Sequence, residues 1–145
     1  MAGHLTLTIR RGLFDEIVAH CVAAYPEEGC GAILGERRGH EHVVSQVEPL
    51  RNAAQRSRAT RFEADSDSVL GLMQYERRTG ISVLGFFHSH PDHPSEPSEI
   101  DRAAAWPDYS YPILSVVAGE VSCWNSWRLR DDGSGYDMED IQILD

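Results

Sequence analysis

A chain of 145 residues, 41% of them hydrophobic, is enough for one compact domain with a sizeable core and leaves little for a second. The formal charge of −10 argues against nucleic acid as the partner, because phosphate binding rests on clustered Lys and Arg. No run approaches the roughly 18 apolar residues of a membrane span, and Met1 to Gly12 lacks the apolar core of a secretory leader, so a soluble, non-membrane, cytoplasmic protein is expected.

Leu5 to Ile9 alternates apolar and polar residues and predicts a first strand. Leu13, Ile17, Cys21 and Ala24 fall at helical spacing, and Pro26 ends the helix they mark. Glu28 opens an extended run to Gly35 whose glycines admit close backbone approach. After a turn at Arg38-Gly39, His42 to Val47 reads as the hairpin partner, and Arg51 to Thr60 is a polar loop. Arg51, Arg56, Arg58 and Arg61 there read as solvated positions. Phe62 precedes a cap signal at Asp65-Ser66, and a second helix from about Asp67 to Arg78 closes at Thr79-Gly80. Ile81 to Phe87 is the apolar central strand, and Ser98 to Ala105 a short third helix. Tyr111 to Ala118 and Val121 to Leu129 are strands joined tightly at Gly119-Glu120, with Val121, Cys123, Trp127 and Leu129 facing one way. An acidic tail begins at about Asp131 and carries a short edge strand at Ile141 to Leu144. This order predicts a single domain over residues 1–145, α/β or α+β, with a mixed sheet between helices.

The chemistry gathers behind the central strand. His88 and His90 are two apart, so a strand sends both imidazoles the same way. Ser98 and Asp101 are three apart at a helix start and can share one face. A strand end and a helix start thus offer two nitrogens and a carboxylate to one ion. Three metal patterns fit part of the stretch. His88 to His93 satisfies the H-x-H-x-D-H of the metallo-β-lactamase fold, yet that site needs later histidines and none follows His93. A cupin-like reading with Glu96 has the wrong spacing, a proline-rich loop and an all-β fold. The third pattern, H-S-H-P-x6-S-x-x-D, is met by His88, Ser89, His90, Pro91, Ser98 and Asp101.

On this last pattern the chain resembles the JAMM (MPN-plus) metallopeptidase family, in particular its short standalone prokaryotic members. The family's upstream glutamate, before a Cys-Gly or similar pair, is matched by Glu28 in Glu27-Glu28-Gly29-Cys30-Gly31, with Glu27 the less suited neighbour. The resemblance runs in element order from Leu13 to about Leu129. It implies a curved mixed sheet flanked by helices, a JAMM/MPN core of cytidine-deaminase-like type. It also implies one zinc ion on His88, His90 and Asp101, with Glu28 and Ser98 as the catalytic pair. The implied partner is a ubiquitin-like or sulfur-carrier protein, cleaved after its C-terminal Gly-Gly.

The chemistry agrees with that implication. Two imidazoles and a carboxylate leave zinc an open fourth position for water, as in catalytic sites. A nearby carboxylate that is not a ligand can carry the proton, Glu28's role. Ser98 is the family's donor to the developing oxyanion, a contribution of about 10²- to 10³-fold if it resembles other such donors. A flexible diglycine tail suits a narrow groove beside Pro91 to Pro97, added along a strand edge. Two other functions share the fold: a non-catalytic MPN scaffold, which typically loses the ligands kept here, and a metal hydrolase with a small-molecule or nucleic-acid-linked substrate.

Plainer roles exist for the same residues. Ser98 with Asp101 is also a capping box. His93 reads as a loop histidine outside the ligand set, Ser89 faces away from the ligands, and Cys30 reads as a small core residue. His4, His20, His40 and His42 are expected at the surface, and Trp106, Trp124 and Trp127 in core or sheet packing. Cys21, Cys30 and Cys123 are odd in number and far apart, giving neither a disulfide framework nor a CxxC clip, which suits a reducing compartment. Lysine is absent, and with the acidic excess this is a composition suited to high salt.

Overall fold

The computed structural model describes residues 4–145, so Met1 to Gly3 of the segment read for a leader lie outside the described residues. The elements run β1 (Thr6–Arg10), α1 (Arg11–Ala24), β2 (Cys30–Arg38), β3 (Glu41–Leu50), α2 (Ser66–Thr79), β4 (Ser82–Pro91), α3 (Glu99–Ala104), β5 (Ser110–Val117), β6 (Glu120–Leu129) and β7 (Tyr136–Leu144). The expected mixed, curved sheet with flanking helices is present. Its strands close into a barrel in the order β1-β3-β2-β4-β5-β6-β7, with β1 parallel to both β3 and β7.

Strands buried on both faces read as continuous apolar runs rather than alternating ones, and β2 and β4 show why. Ile33, Leu84 and Phe87 join a core with Ile17 and Cys21 of α1. The opposite faces, Cys30, Ala32, Leu34 and Val83, pack with Leu72 of α2. Both helix-cap signals of α2 act as expected: Asp65 accepts from the Ser68 amide, and Gly80 closes the helix in the left-handed region at φ 78°. Among the described residues no helix is long and apolar enough to cross a membrane.

Glycine is required where β4 meets β5. A Cβ on Gly85 would lie 1.8 Å from the Ser110 carbonyl oxygen, which is backbone and has nowhere to go. Gly85→Ala is therefore expected to cost about 3 kcal/mol in denaturant unfolding.

The structure departs from expectation in β6, β7 and at His42. The hairpin turn is Ala118-Gly119, at φ 50° and 84°. A bulge follows: Cys123 pairs with Ser115 but Val121 with Val116, leaving Ser122 extra. The side-chain alternation slips there, so Val121 and Trp124 both pack on the core while Cys123 is exposed. The tail is no edge, since β7 pairs with β1 on one side and β6 on the other. Its inward Glu139 is buried against Arg128 at 3.0 Å, an ion pair that hides the apolar alternation.

His42 is buried, not at the surface, with its Nδ1 2.7 Å from the Ser110 hydroxyl. Burial, with the charges of Arg128 and Arg37, lowers its pKa from 6.5 to about 3. The unfolded chain then takes the proton first. Stability from this group is complete above pH 6.5 and drains as pH falls toward 3, by at most about 1.4 kcal/mol per pH unit. Unfolding curves across that range are expected to be flatter for His42→Asn than for the parent protein.

Candidate active site

β4 lies between β2 and β5, with His88 opposite Cys30 and Ile113 in register. Period-2 geometry sends His88 and His90 to one face, and α3 brings Asp101 to them. His88 Nε2 lies 3.1 Å from His90 Nε2 and 3.1 Å from Asp101 Oδ2, and His90 Nε2 lies 3.0 Å from the same oxygen. Both histidines are buried and the Asp101 side chain is nearly so. Three donors about 2.0 to 2.1 Å from one tetrahedral ion would stand roughly 3.3 Å apart, so the spacing and the N,N,O donor set fit zinc.

Protonation follows the same logic. Burial opposes an ionised Asp101, but hydrogen bonds from His88 and His90 and the Ser98 amide outweigh it and hold the carboxyl well below the usual range. Burial keeps His88 neutral. The Nδ1 of His90 is 2.7 Å from the Pro94 carbonyl, which fixes the ring with its Nε2 toward the other donors.

The capping box and the convergence with the two histidines fall on one carboxylate oxygen. Ser98 Oγ accepts from the Asp101 amide at 3.0 Å, while Asp101 Oδ2 accepts from the Ser98 amide at 2.9 Å. Ser98 retains its own hydroxyl hydrogen for another acceptor.

Glu28 is buried and Glu27 exposed, which separates the two neighbours. The Glu28 amide donates to the Arg58 carbonyl at 2.7 Å, and its carbonyl accepts from Asn52 Nδ2 at 3.1 Å. Its Oε1 is buried with no hydrogen-bond partner among the described residues. Burial pushes its pKa up to about 8, with His90 pulling it down and Asp101 pushing it up. Glu28 shares a cavity with His90 and couples electrostatically to His90 and Asp101, but is not one of the three converging donors.

The plainer readings hold elsewhere. Ser89 turns away and its Oγ accepts from the Gly29 amide at 2.8 Å, tying β4 to the Glu28 segment. His93 is exposed. Burial pushes the Cys30 thiol up to about 12. Trp124 packs on Phe14. Trp106 does not pack in the core: it is 68% exposed at the rim of a cavity of about 390 Å³ that includes Phe86, Tyr111, His88 and Asp101. A second cavity, of about 490 Å³, holds Glu28, His90 and Ser98. Pro97 and Ile100 line both, so the donor cluster sits where the two meet. The wall from Asp92 to Pro97 is pinned, with Asp92 accepting from Tyr25 and Ser95 from Asn125 and Trp127.

Two residues beside the site had no sequence signal strong enough to find them. Asn52 was one polar residue in a polar loop, and Phe62 one aromatic before a helix cap.

Comparison with known proteins adds a family. The description "Prokaryotic homologs of the JAB domain" matches residues 10–130. The chain is similar to a protein of Haloferax volcanii named "Desampylase", 33% identical over 106 residues, 70% of this chain and 74% of that one. It is also similar to a Thermus thermophilus protein named "Probable TtuB-protein conjugate cleaving protease", 37% identical over 103 residues, 70% of this chain and 66% of that one. Among solved structures, a protein from Desulfitobacterium hafniense superposes with a TM-score of 0.81 at 33% identity, covering 94% of this chain and 92% of the other.

Proposed function

Since this chain belongs to the prokaryotic JAB-domain family, as a hydrolytic enzyme of that type, we propose that it uses zinc on His88, His90 and Asp101 to hydrolyse the bond after the C-terminal Gly-Gly of a ubiquitin-like or sulfur-carrier protein. The observation that carries the reading is a buried carboxylate oxygen, Glu28 Oε1, with no hydrogen-bond partner among the described residues, on a side chain that couples electrostatically to two of the three converging donors, His90 and Asp101. A bound zinc acidifies water and polarises the scissile carbonyl.

The protein's own groups do the rest. Glu28 in its ionised form accepts the proton of the attacking water and returns it to the departing amine. The pKa of about 8 that burial gives it belongs to the metal-free protein, and a bound cation would favour the carboxylate. Ser98 donates its hydroxyl hydrogen to the carbonyl oxygen as charge develops there. Asp101 stays ionised and His88 neutral, as ligands must. The relatives' names, a desampylase and a protease of TtuB-protein conjugates, support a conjugate or extended tail as substrate. Three free cysteines suit the cytoplasm.

The test is incubation of the purified protein with ubiquitin-like proteins extended beyond Gly-Gly, with and without a chelator. Cleavage at the diglycine that stops with the chelator and returns with zinc is expected. Binding far below one zinc per chain would defeat the reading, and binding without cleavage would favour the scaffold alternative.

A further inference from the structure

The two histidines that face the metal position are held by different devices. His90 is fixed through its second nitrogen, 2.7 Å from the Pro94 carbonyl. His88 has no such tie: its Nδ1 is buried and without a hydrogen-bond partner among the described residues. Ligand histidines almost always use that nitrogen to set their orientation. What His88 has instead is Phe62, whose ring stacks on the imidazole with centroids 4.5 Å apart and planes 27° from parallel. No other aromatic contact of His88 among the described residues approaches this, apart from the ligand His90 itself at 58°.

Phe62 is mounted to do this. Asn52 Nδ2 donates to the Arg61 carbonyl at 3.1 Å, and Asn52 Oδ1 accepts from the Glu63 amide at 3.1 Å, so both neighbours of Phe62 are tied to one side chain. The Ala53 amide donates to the Glu63 carbonyl at 2.7 Å. The same Asn52 holds the Glu28 carbonyl. A single loop residue thereby sets the height of the aromatic ring and of the proton carrier together.

We propose that Phe62 is a positioning residue for His88, its ring supplying by stacking the orientation that the Pro94 carbonyl supplies to His90. This rests on the metal reading above. Phe62 also lines the apolar cavity, so a loss of cleavage alone would not separate the roles; metal binding without substrate does.

The experiment compares Phe62→Leu, Phe62→Met and Phe62→Tyr with the parent chain. Zinc affinity is measured by chelator competition, coordination by the visible absorption of the cobalt(II)-loaded protein, and folding by thermal unfolding of the metal-free forms. Leucine and methionine fill the space without a ring. Each is expected to weaken zinc binding about 10- to 100-fold, the range for lost supporting contacts around a metal, and to change the cobalt spectrum. Tyrosine is expected to stay within about threefold with the parent spectrum. Methionine stands in if the leucine variant does not fold. Parent-like affinity and spectrum in a folded ringless variant would overturn the proposal, as would a tyrosine variant that loses as much as leucine. If the parent chain itself binds no zinc, the reading in the preceding subsection fails instead.

Discussion

Glu28→Gln is expected to leave the protein folded and able to bind zinc while cutting hydrolysis by about 10²- to 10⁴-fold. The reason lies in where the carboxylate sits. It is outside the set of donors that converge on the metal position, so a neutral isostere removes a proton acceptor and no ligand. A parallel effect on stability has a definite sign. In the metal-free protein burial raises the Glu28 pKa from 4.5 to about 8. Its contribution is intact below pH 4.5 and is lost as pH climbs to 8, because the folded state resists ionisation that the unfolded chain accepts. Glutamine does not ionise, so the metal-free variant should unfold at a higher temperature than the parent at pH 7, with the difference vanishing near pH 4. A variant that is both inactive and less stable at pH 7 would show that Glu28 serves the fold. One within tenfold of parental activity would take the proton carrier away from this position.

Burial that holds a carboxyl against ionisation beside a set of converging donors is the environment expected of a proton carrier. It also marks the limit of what residue spacing shows. His88 and His90 were legible because two apart on an apolar strand means one face. Asp101 was legible because three apart at a helix start means the same. Glu28, 60 residues before His88, was placed by family resemblance alone; the choice over Glu27 rests in the fold on burial, which spacing does not reveal.

Other features were hidden for the same physical reason: their partners are distant in the chain. His42 looked like a surface residue because Ser110, its partner, is 68 residues away. The last strand looked like an acidic tail because its inward Glu139 is neutralised by Arg128 on β6. The alternation in β6 misled beyond Val121 because one extra residue, Ser122, turns every later side chain to the other face. Barrel closure rests on β7 pairing with both β1 and β6, contacts that periodicity does not reveal, so a mixed sheet between helices was the furthest the pattern reached.

The largest loss of metal is expected at Asp101, where one oxygen has three tasks. Oδ2 accepts from the Ser98 amide and meets both imidazoles within 3.1 Å. Asp101→Ala and Asp101→Asn separate these tasks. Asparagine keeps an oxygen for the Ser98 amide but loses the charge, and a carboxamide is a poor zinc ligand. Both variants should lose zinc affinity at least about 1,000-fold, well beyond the effect of a supporting residue, and cleavage with it. Only alanine should also lose the Asp101 half of the α3 capping box, the bond from the Ser98 amide, while Ser98 Oγ still caps the Asp101 amide; the cost in the metal-free protein is at most about 1 kcal/mol. The readout is thermal unfolding with and without zinc. At zinc near 1,000 times the parent's dissociation constant the parent gains about 4 kcal/mol, and each variant gains no more than about 0.4 kcal/mol at the same concentration. If Asp101→Asn kept the zinc-dependent shift, the third ligand would have to be another group. Glu28, a buried carboxyl that couples to His90 and Asp101, would be the candidate, and the proton carrier would then have to be sought elsewhere.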